Sequence, residues 1–237
     1  MNIVEFKNVT FINEQNETIL DDLSFIIKEK EFVVLIGSSN EGKTLILKII
    51  SGLIKVNSGE VLVFEKNICK LSENQKYEVR KKIGLLFQNN ALFTNMTNLE
   101  NVVFPLKNRE ISKNKKKASN LLKEMELDNV DNLYPDEISG GMQKRVSLAR
   151  AIIHNPPLSL LDDPTAGLDP ITSIHILNLI KEKLKNKTII FTTQNLELTL
   201  KYSDRVLMLK NGKLAYDGSV LELKNGSKEV TSFAFGN

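Results

Sequence analysis

Phe32-Val33-Val34-Leu35-Ile36 contains no polar position, and Leu158–Leu161 and Thr188–Phe191 are short runs that are nearly all apolar. Such runs predict strands covered on both faces, as in a parallel sheet. A helical stretch predicted from Ile171 to Leu184 separates the last two, which is the connection parallel strands need. From Ile3 to Phe11 and from Leu23 to Ile27 the pattern also suits strands, and Asn13 to Asn16 is a polar turn between them. An antiparallel β region is therefore predicted at the N-terminus. Val61–Phe64 and Val206–Leu209 are further strands, and Asn211-Gly212 before Lys213–Tyr216 is a type I′ hairpin signal. Between Gln88 and Ser139 the chain turns polar and helical, with Leu121, Leu122, Met125 and Leu127 at roughly helical spacing behind Lys113 to Lys117. That basic run reads most simply as a solvated helix face. The fold class is α/β: a mainly parallel sheet with an N-terminal antiparallel β region and an inserted helical subdomain.

Composition narrows this picture little. The 237 residues are 41% apolar, enough for a sizeable core, and 32 Lys and Arg against 29 Asp and Glu give a net charge of only +3. No nucleic-acid partner is implied by so small an excess. Cys69 is the sole cysteine, which excludes an internal disulfide and fits a reducing compartment. Met1 to Thr10 alternates apolar and polar residues rather than forming a basic start with an apolar block, and no apolar run approaches a membrane span. The expectation is a protein neither exported nor spanning a membrane by itself.

Chemistry enters directly after the Phe32–Ile36 run, where Gly37-Ser38-Ser39-Asn40-Glu41-Gly42-Lys43-Thr44 has the spacing of a phosphate-binding loop. The apolar pattern Leu45, Leu47, Ile49, Ile50 behind it predicts a helix, so the loop lies in the required strand–loop–helix context. Backbone N–H groups of such a loop wrap phosphates, the lysine reaches the β- and γ-phosphates, and the Thr hydroxyl ligates magnesium at a helix N-terminus. ATP or GTP is the implied ligand.

The second half of the chain decides between them. Ile138-Ser139-Gly140-Gly141-Met142-Gln143-Lys144-Arg145 resembles the signature sequence of ATP-binding-cassette proteins, and Leu158-Ser159-Leu160-Leu161-Asp162-Asp163 resembles their Walker B strand. Gln88 matches the Q-loop and Ala166-Gly167-Leu168-Asp169 the D-loop, all in the family's order from Ile3 to about Leu223. The resemblance implies one domain over 1–237. Residues 1–87 with 156–237 would form the nucleotide-binding core and antiparallel region, and 88–155 the helical signature subdomain. It implies ATP and Mg2+ as cofactors. Gly37 through Leu45 would hold the nucleotide, with Ser139, Gly140, Gly141, Met142 and Asp169 as further nucleotide-binding residues. Thr44, Asp162 and Gln88 would serve the metal, and Asp163, Gln88 and Gln194 the reaction. Ser139 and Gly141 would contact the γ-phosphate bound by the other subunit, so a dimer is implied, either of two copies or with a paralogous ATPase. A transmembrane permease is the further partner, at the cytoplasmic face of the inner or plasma membrane.

A finer resemblance lies in Leu86 to Thr97, Glu100-Asn101-Val102, Phe104-Pro105-Leu106 and Asp169-Pro170-Ile171-Thr172. These strings are similar to the ATPases of Mla-type lipid-transport cassettes, which work with a permease and, through it, a lipid-binding MCE-domain protein. Amino-acid and peptide importers share most of them. Four positions depart from the family pattern: Asp163 in place of the catalytic glutamate, Gln194 in place of the switch histidine, Asn40 in place of a third loop glycine, and Asn13 where an adenine-stacking aromatic is common. Phe11 is close by but reads as core on an alternating strand. Aspartate is one methylene shorter than glutamate, so the carboxylate retracts by about 1 Å from the attacking water. Glutamine hydrogen-bonds but cannot become cationic as histidine does. Asn40 is the mildest change, because Asn tolerates positive φ. Binding is expected to survive these changes and hydrolysis to be weakened, leaving open a regulatory ATP-binding subunit that pairs with a competent partner.

Overall fold

The computed structural model describes residues 1–106 and 110–224; residues 107–109 and 225–237 lie outside it. Its strands are β1 (Asn2–Ile12), β2 (Thr18–Lys28), β3 (Phe32–Ile36), β4 (Ser58–Val63), β5 (Lys66–Asn67), β6 (Ile83–Leu86), β7 (Leu158–Leu161), β8 (Thr188–Thr193), β9 (Arg205–Lys210) and β10 (Lys213–Ser219). Helices are α1 (Lys43–Ile50), α2 (Glu73–Arg80), α3 (Asn98–Val103), α4 (Ile111–Glu124), α5 (Gly140–Ile152), α6 (Pro170–Lys183), α7 (Leu196–Tyr202) and α8 (Val220–Lys224). Six strands form one sheet in the order β10-β9-β3-β8-β7-β6, parallel except for the β9–β10 hairpin, and four form an antiparallel sheet in the order β2-β1-β4-β5. The fold class expected from the apolar pattern is the one observed.

Each unbroken apolar run conceals a period of two. Phe32, Val34 and Ile36 of β3 face the core shared with α4, α5 and α6, while Val33 and Leu35 face a second core shared with α1 and the antiparallel sheet. Ile189 and Phe191 of β8 divide from Ile190 in the same way, as do Val206 and Met208 of β9 from Leu207 and Leu209. The sheet is covered on both sides, so neither face calls for polar residues.

Several boundaries move for identifiable reasons. β2 begins at Thr18 rather than Leu23, because this edge strand carries polar residues and a bulge where Asn8 and Asp22 both take positive φ. β4 ends at Val63, before the positive-φ pair Phe64-Glu65 that turns the chain into β5. The Asn211-Gly212 hairpin has both turn residues at positive φ, 52° and 73°, as a type I′ turn requires. Lys113 and Lys115 to Lys117 of α4 are exposed, the solvated face anticipated for them.

α2 and β6 are among the elements that the hydrophobic pattern does not predict. α2 is mainly polar, burying Val79 alone, and is fixed at its start by a capping box of Ser72 and Gln75. β6 is short and interrupted by Gly84, whose absent side chain is required: a Cβ there would stand 2.4 Å from the Ala151 carbonyl oxygen and 2.8 Å from Pro156. This close approach seats β6 against the end of α5. Gly84→Ala should therefore lower the urea midpoint by an amount equivalent to about 1–3 kcal/mol with an unchanged denaturant slope. A midpoint equal to wild type would show that α5 yields without cost.

Candidate nucleotide site

β3 ends at Ile36 and α1 begins at Lys43, and the six residues between them turn tightly. Asn40 lies at φ 67°, the left-handed region its side chain was expected to tolerate. Gly42 lies at φ 89°, and a Cβ on it would stand 2.7 Å from Leu20 Cδ2. The first turn of α1 carries no acidic residue, so its dipole and free N–H groups face the loop unopposed. Lys43 Nζ donates to the carbonyls of Gly37 at 2.7 Å and Ser38 at 2.6 Å, folded back over the loop. Burial pushes its ammonium below the ordinary lysine range, while Asp163, Glu41 and Asp162 pull it back up.

Because β3, β8 and β7 are parallel neighbours, their carboxyl ends deliver the loop, Thr192 and the two aspartates to one place. Thr44 Oγ1 donates to Asp162, 2.9 Å from both carboxylate oxygens, and Thr192 Oγ1 donates to Asp162 Oδ1 at 2.7 Å. The same Thr192 hydroxyl accepts from the Asp163 backbone N–H at 2.9 Å, so one buried threonine ties the Asp162 carboxylate to the main chain of Asp163. Burial, and then the negative charge of Asp162, pushes Asp163 above the usual carboxylate range; Lys144 and Lys43 oppose this. A carboxyl raised in this way is the better proton acceptor from a water.

A cavity of 610 Å³ opens over these groups. It brings together Ser39, Asn40, Gly42, Lys43, Thr44, Leu45, Gln88, Asp162, Asp163 and Gln194. Ser39 Oγ approaches Gln194 Oε1 at 3.5 Å, so the residue in the histidine position stands beside the loop. Asn13 also lines the cavity, whereas Phe11 packs against the core behind the antiparallel sheet. Ile19 and Ile54 provide apolar wall at that end, and among the described residues no aromatic side chain lines it. Glu41 departs from expectation: its carboxylate turns out of the cavity to accept from the Gly212 N–H at 3.3 Å, so any contact with nucleotide is through its backbone.

The residues grouped for a metal supply oxygens alone, from Thr44, Asp162 and Gln88, which suits a hard cation such as Mg2+. No cluster of three or more His, Cys, Asp or Glu that could hold a metal occurs among the described residues. An ion here would draw its remaining ligands from phosphates and water.

Ser139, Gly140, Gly141, Met142 and Asp169 do not line this cavity. Ser139 caps α5, accepting from the Met142 N–H at 3.3 Å. Asp169 caps α6 through the Thr172 N–H at 3.0 Å and hydroxyl at 2.6 Å, and those bonds hold its carboxyl below the usual range. A Cβ on Gly141 would stand 3.2 Å from Thr172, so the two helix starts adjoin; one on Gly140 would meet nothing. The pair forms an open surface suited to a second molecule. Thr192 and Lys144 were missed by sequence reasoning. The only available signals were a polar ending to an apolar strand and a lysine on the buried face of a helix.

The ABC transporter family profile matches residues 20–166. Among curated proteins, the intermembrane phospholipid transport ATP-binding protein MlaF of Haemophilus influenzae is 36% identical, covering 94% of this chain and 86% of its own. The methionine import ATP-binding protein MetN 2 of Bacillus anthracis is 30% identical over 98% and 71%, and the glycine betaine/proline betaine ATP-binding protein ProV of Salmonella typhimurium 35% over 86% and 52%. Among solved structures, the ATP-binding cassette MJ0796, a dimer in a post-hydrolysis state bound to ADP and Pi, superposes with TM-score 0.84 at 33% identity, covering 92% of this chain and 98% of its own. A family profile that spans more than half of the chain, with MlaF 36% identical across nearly all of it, shows that this chain belongs to the ABC transporter family as one of its ATPase subunits.

Proposed function

We propose that the chain binds MgATP between two cassettes and hydrolyses it to power a membrane transporter for phospholipid-type lipid. The observation that carries the chemistry is the single cavity in which Lys43, Thr44, Gln88, Asp162 and Asp163 converge while Ser139–Gly141 stay open on another face. In this reading Lys43 and the loop amides hold the phosphates. Thr44 and Asp162 hold the Mg2+, which neutralises phosphate charge when bound, and Asp163 takes the proton of the attacking water while Gln88 orients it. Two copies, or one copy and a paralogue, complete each site by placing Ser139 and Gly141 on the partner's γ-phosphate. The division into a core of 1–87 plus 156–237 and a signature subdomain of 88–155 is part of the same proposal.

The lipid assignment rests on the MlaF match and on the Leu86–Thr97 strings; MetN and ProV keep an amino-acid or betaine-type importer as the second reading. Beside the Gln88 loop, a groove of 790 Å³ is lined by Phe87, Phe93, Phe104, Leu106, Arg150 and His154. Phe93 and Phe104 are not packing residues alone: they are 38% and 56% exposed, with ring centroids 4.6 Å apart. A short permease helix is the proposed occupant, which would hold the chain at the cytoplasmic membrane face. No described helix is itself long and apolar enough to cross a membrane. An MCE-type protein would join through the permease. Copurification of the native complex with identification of its subunits and lipids tests this; recovery of an amino-acid-binding protein in place of lipid would contradict it.

Dimerisation gives a separate check. In sedimentation with ATP and Mg2+, wild type is expected to shift to dimer and Ser139→Arg to stay monomeric, because the long side chain fills the γ-phosphate pocket. Equal dimerisation of the two would refute the shared site.

A further inference from the structure

Lys144, Ser147 and Arg150 follow one another at three-residue steps along one face of α5, and each ends on a backbone carbonyl of the Gln88 loop. Lys144 Nζ donates to the Gln88 carbonyl at 2.7 Å, Ser147 Oγ to that of Asn90 at 2.8 Å, and the Arg150 guanidinium to those of Asn90 and Ala91, both at 2.7 Å. All three are buried. The loop they grip is irregular, with Asn90 at φ 64° and Ala91 at φ 46°, a conformation alanine rarely holds without help from its surroundings.

A lysine only 2% exposed is costly to bury, and packing alone would be served by an apolar residue of similar length. Lys144 has two sets of partners instead. Its hydrogen bond fixes the carbonyl of the residue whose side chain reaches into the cavity. Its charge faces Asp163 and Asp162, and of the two lysines that act on Asp163, Lys144 exerts the larger effect. The helix that carries it begins at Gly140, directly after Ser139. One side chain therefore joins the helix of the signature surface to the Gln88 loop, with the carboxylate pair within reach of its charge.

We propose that Lys144 is a positioning residue for hydrolysis, tying the signature helix to the Gln88 carbonyl so that a partner's engagement of Ser139 is felt at the attacking water. It does not line the nucleotide cavity, and the proposal rests on the ATPase reading above. ATP binding does not require it, because the phosphate loop is built without it.

The test is steady-state phosphate release by the full chain in its transporter complex, with ATP-induced thermal stabilisation measured in parallel. Lys144→Met is expected to lower kcat by at least about tenfold while KM for ATP and the ATP-induced shift stay within roughly twofold of wild type. Lys144→Arg keeps charge and donors and should recover most of that loss. In a Gln88→Ala background, Lys144→Met should cost clearly less than in wild type, because both act through one loop. The proposal is overturned if Lys144→Met turns over like wild type, if kcat falls only in step with melting temperature and ATP binding, if Lys144→Arg is as slow as Lys144→Met, or if the effects with Gln88→Ala simply multiply. An inactive wild type, or a Lys43→Ala variant as active as wild type, would overturn the ATPase reading instead.

Discussion

Phosphate release should rise about ten- to a hundredfold when Asp163→Glu and Gln194→His are combined. The geometry supports both halves of this expectation. Asp163 lines the nucleotide cavity with a carboxyl raised by burial and by Asp162, so it is suited to accept a proton but one methylene short. Gln194 stands beside Ser39 of the phosphate loop, where an imidazole would meet the γ-phosphate and carry charge that an amide cannot. Full recovery of a 1 Å misplacement would correspond to about 2.7 kcal/mol. The backbone sets a limit: Asp163 lies at φ 41°, where aspartate is among the tolerated residues and glutamate is less so, and a strained residue there costs about 1–2 kcal/mol. Asp163→Glu alone should therefore give a smaller gain than reach alone implies. The two positions serve one reaction centre, so their effects should not multiply. A double mutant that binds ATP normally yet turns over no faster than wild type would mean that these residues do not hold the rate down.

The loss expected at Lys43 is of comparable size in the opposite direction. Lys43 Nζ now bonds the carbonyls of Gly37 and Ser38, and a nucleotide would exchange those neutral partners for β- and γ-phosphate oxygens, a charge-assisted contact in a part-buried site. Lys43→Ala removes the cation and leaves the loop otherwise intact. The ATP-induced rise in melting temperature should disappear, while the melting temperature without nucleotide stays close to wild type. A rise equal to that of wild type would remove Gly37–Thr44 from the nucleotide site.

Why the first half of this account could be read in the sequence, and parts of the second could not, follows from particular residues. β3 and β7 coincide with their apolar runs because strands buried on both faces leave a continuous hydrophobic signal. β6 gave none, since Gly84 interrupts a four-residue strand and is chosen for its contact with Ala151. The edge strand β2 was truncated because its bulge at Asp22 breaks alternation. At the site, Gly37–Thr44 and Asp162-Asp163 are contiguous and carry a fixed spacing, so they were legible. Thr192 and Lys144 act only through parallel pairing of β7 with β8 and the packing of α5 on the Gln88 loop, relations between residues dozens of positions apart. Glu41 shows the converse: its place in the motif is right, but its side chain serves the β9–β10 hairpin.

Phosphate release by the wild-type chain in its native transporter complex, followed as a function of ATP concentration against Lys43→Ala under the same conditions, tests the central claim most directly. The account predicts slow, saturable release by wild type, stimulated when the complex is intact, and none above background from Lys43→Ala. Wild type that binds ATP and dimerises but releases no phosphate, while a paralogous cassette in the complex does, would contradict it and establish the chain as a regulatory ATP-binding subunit.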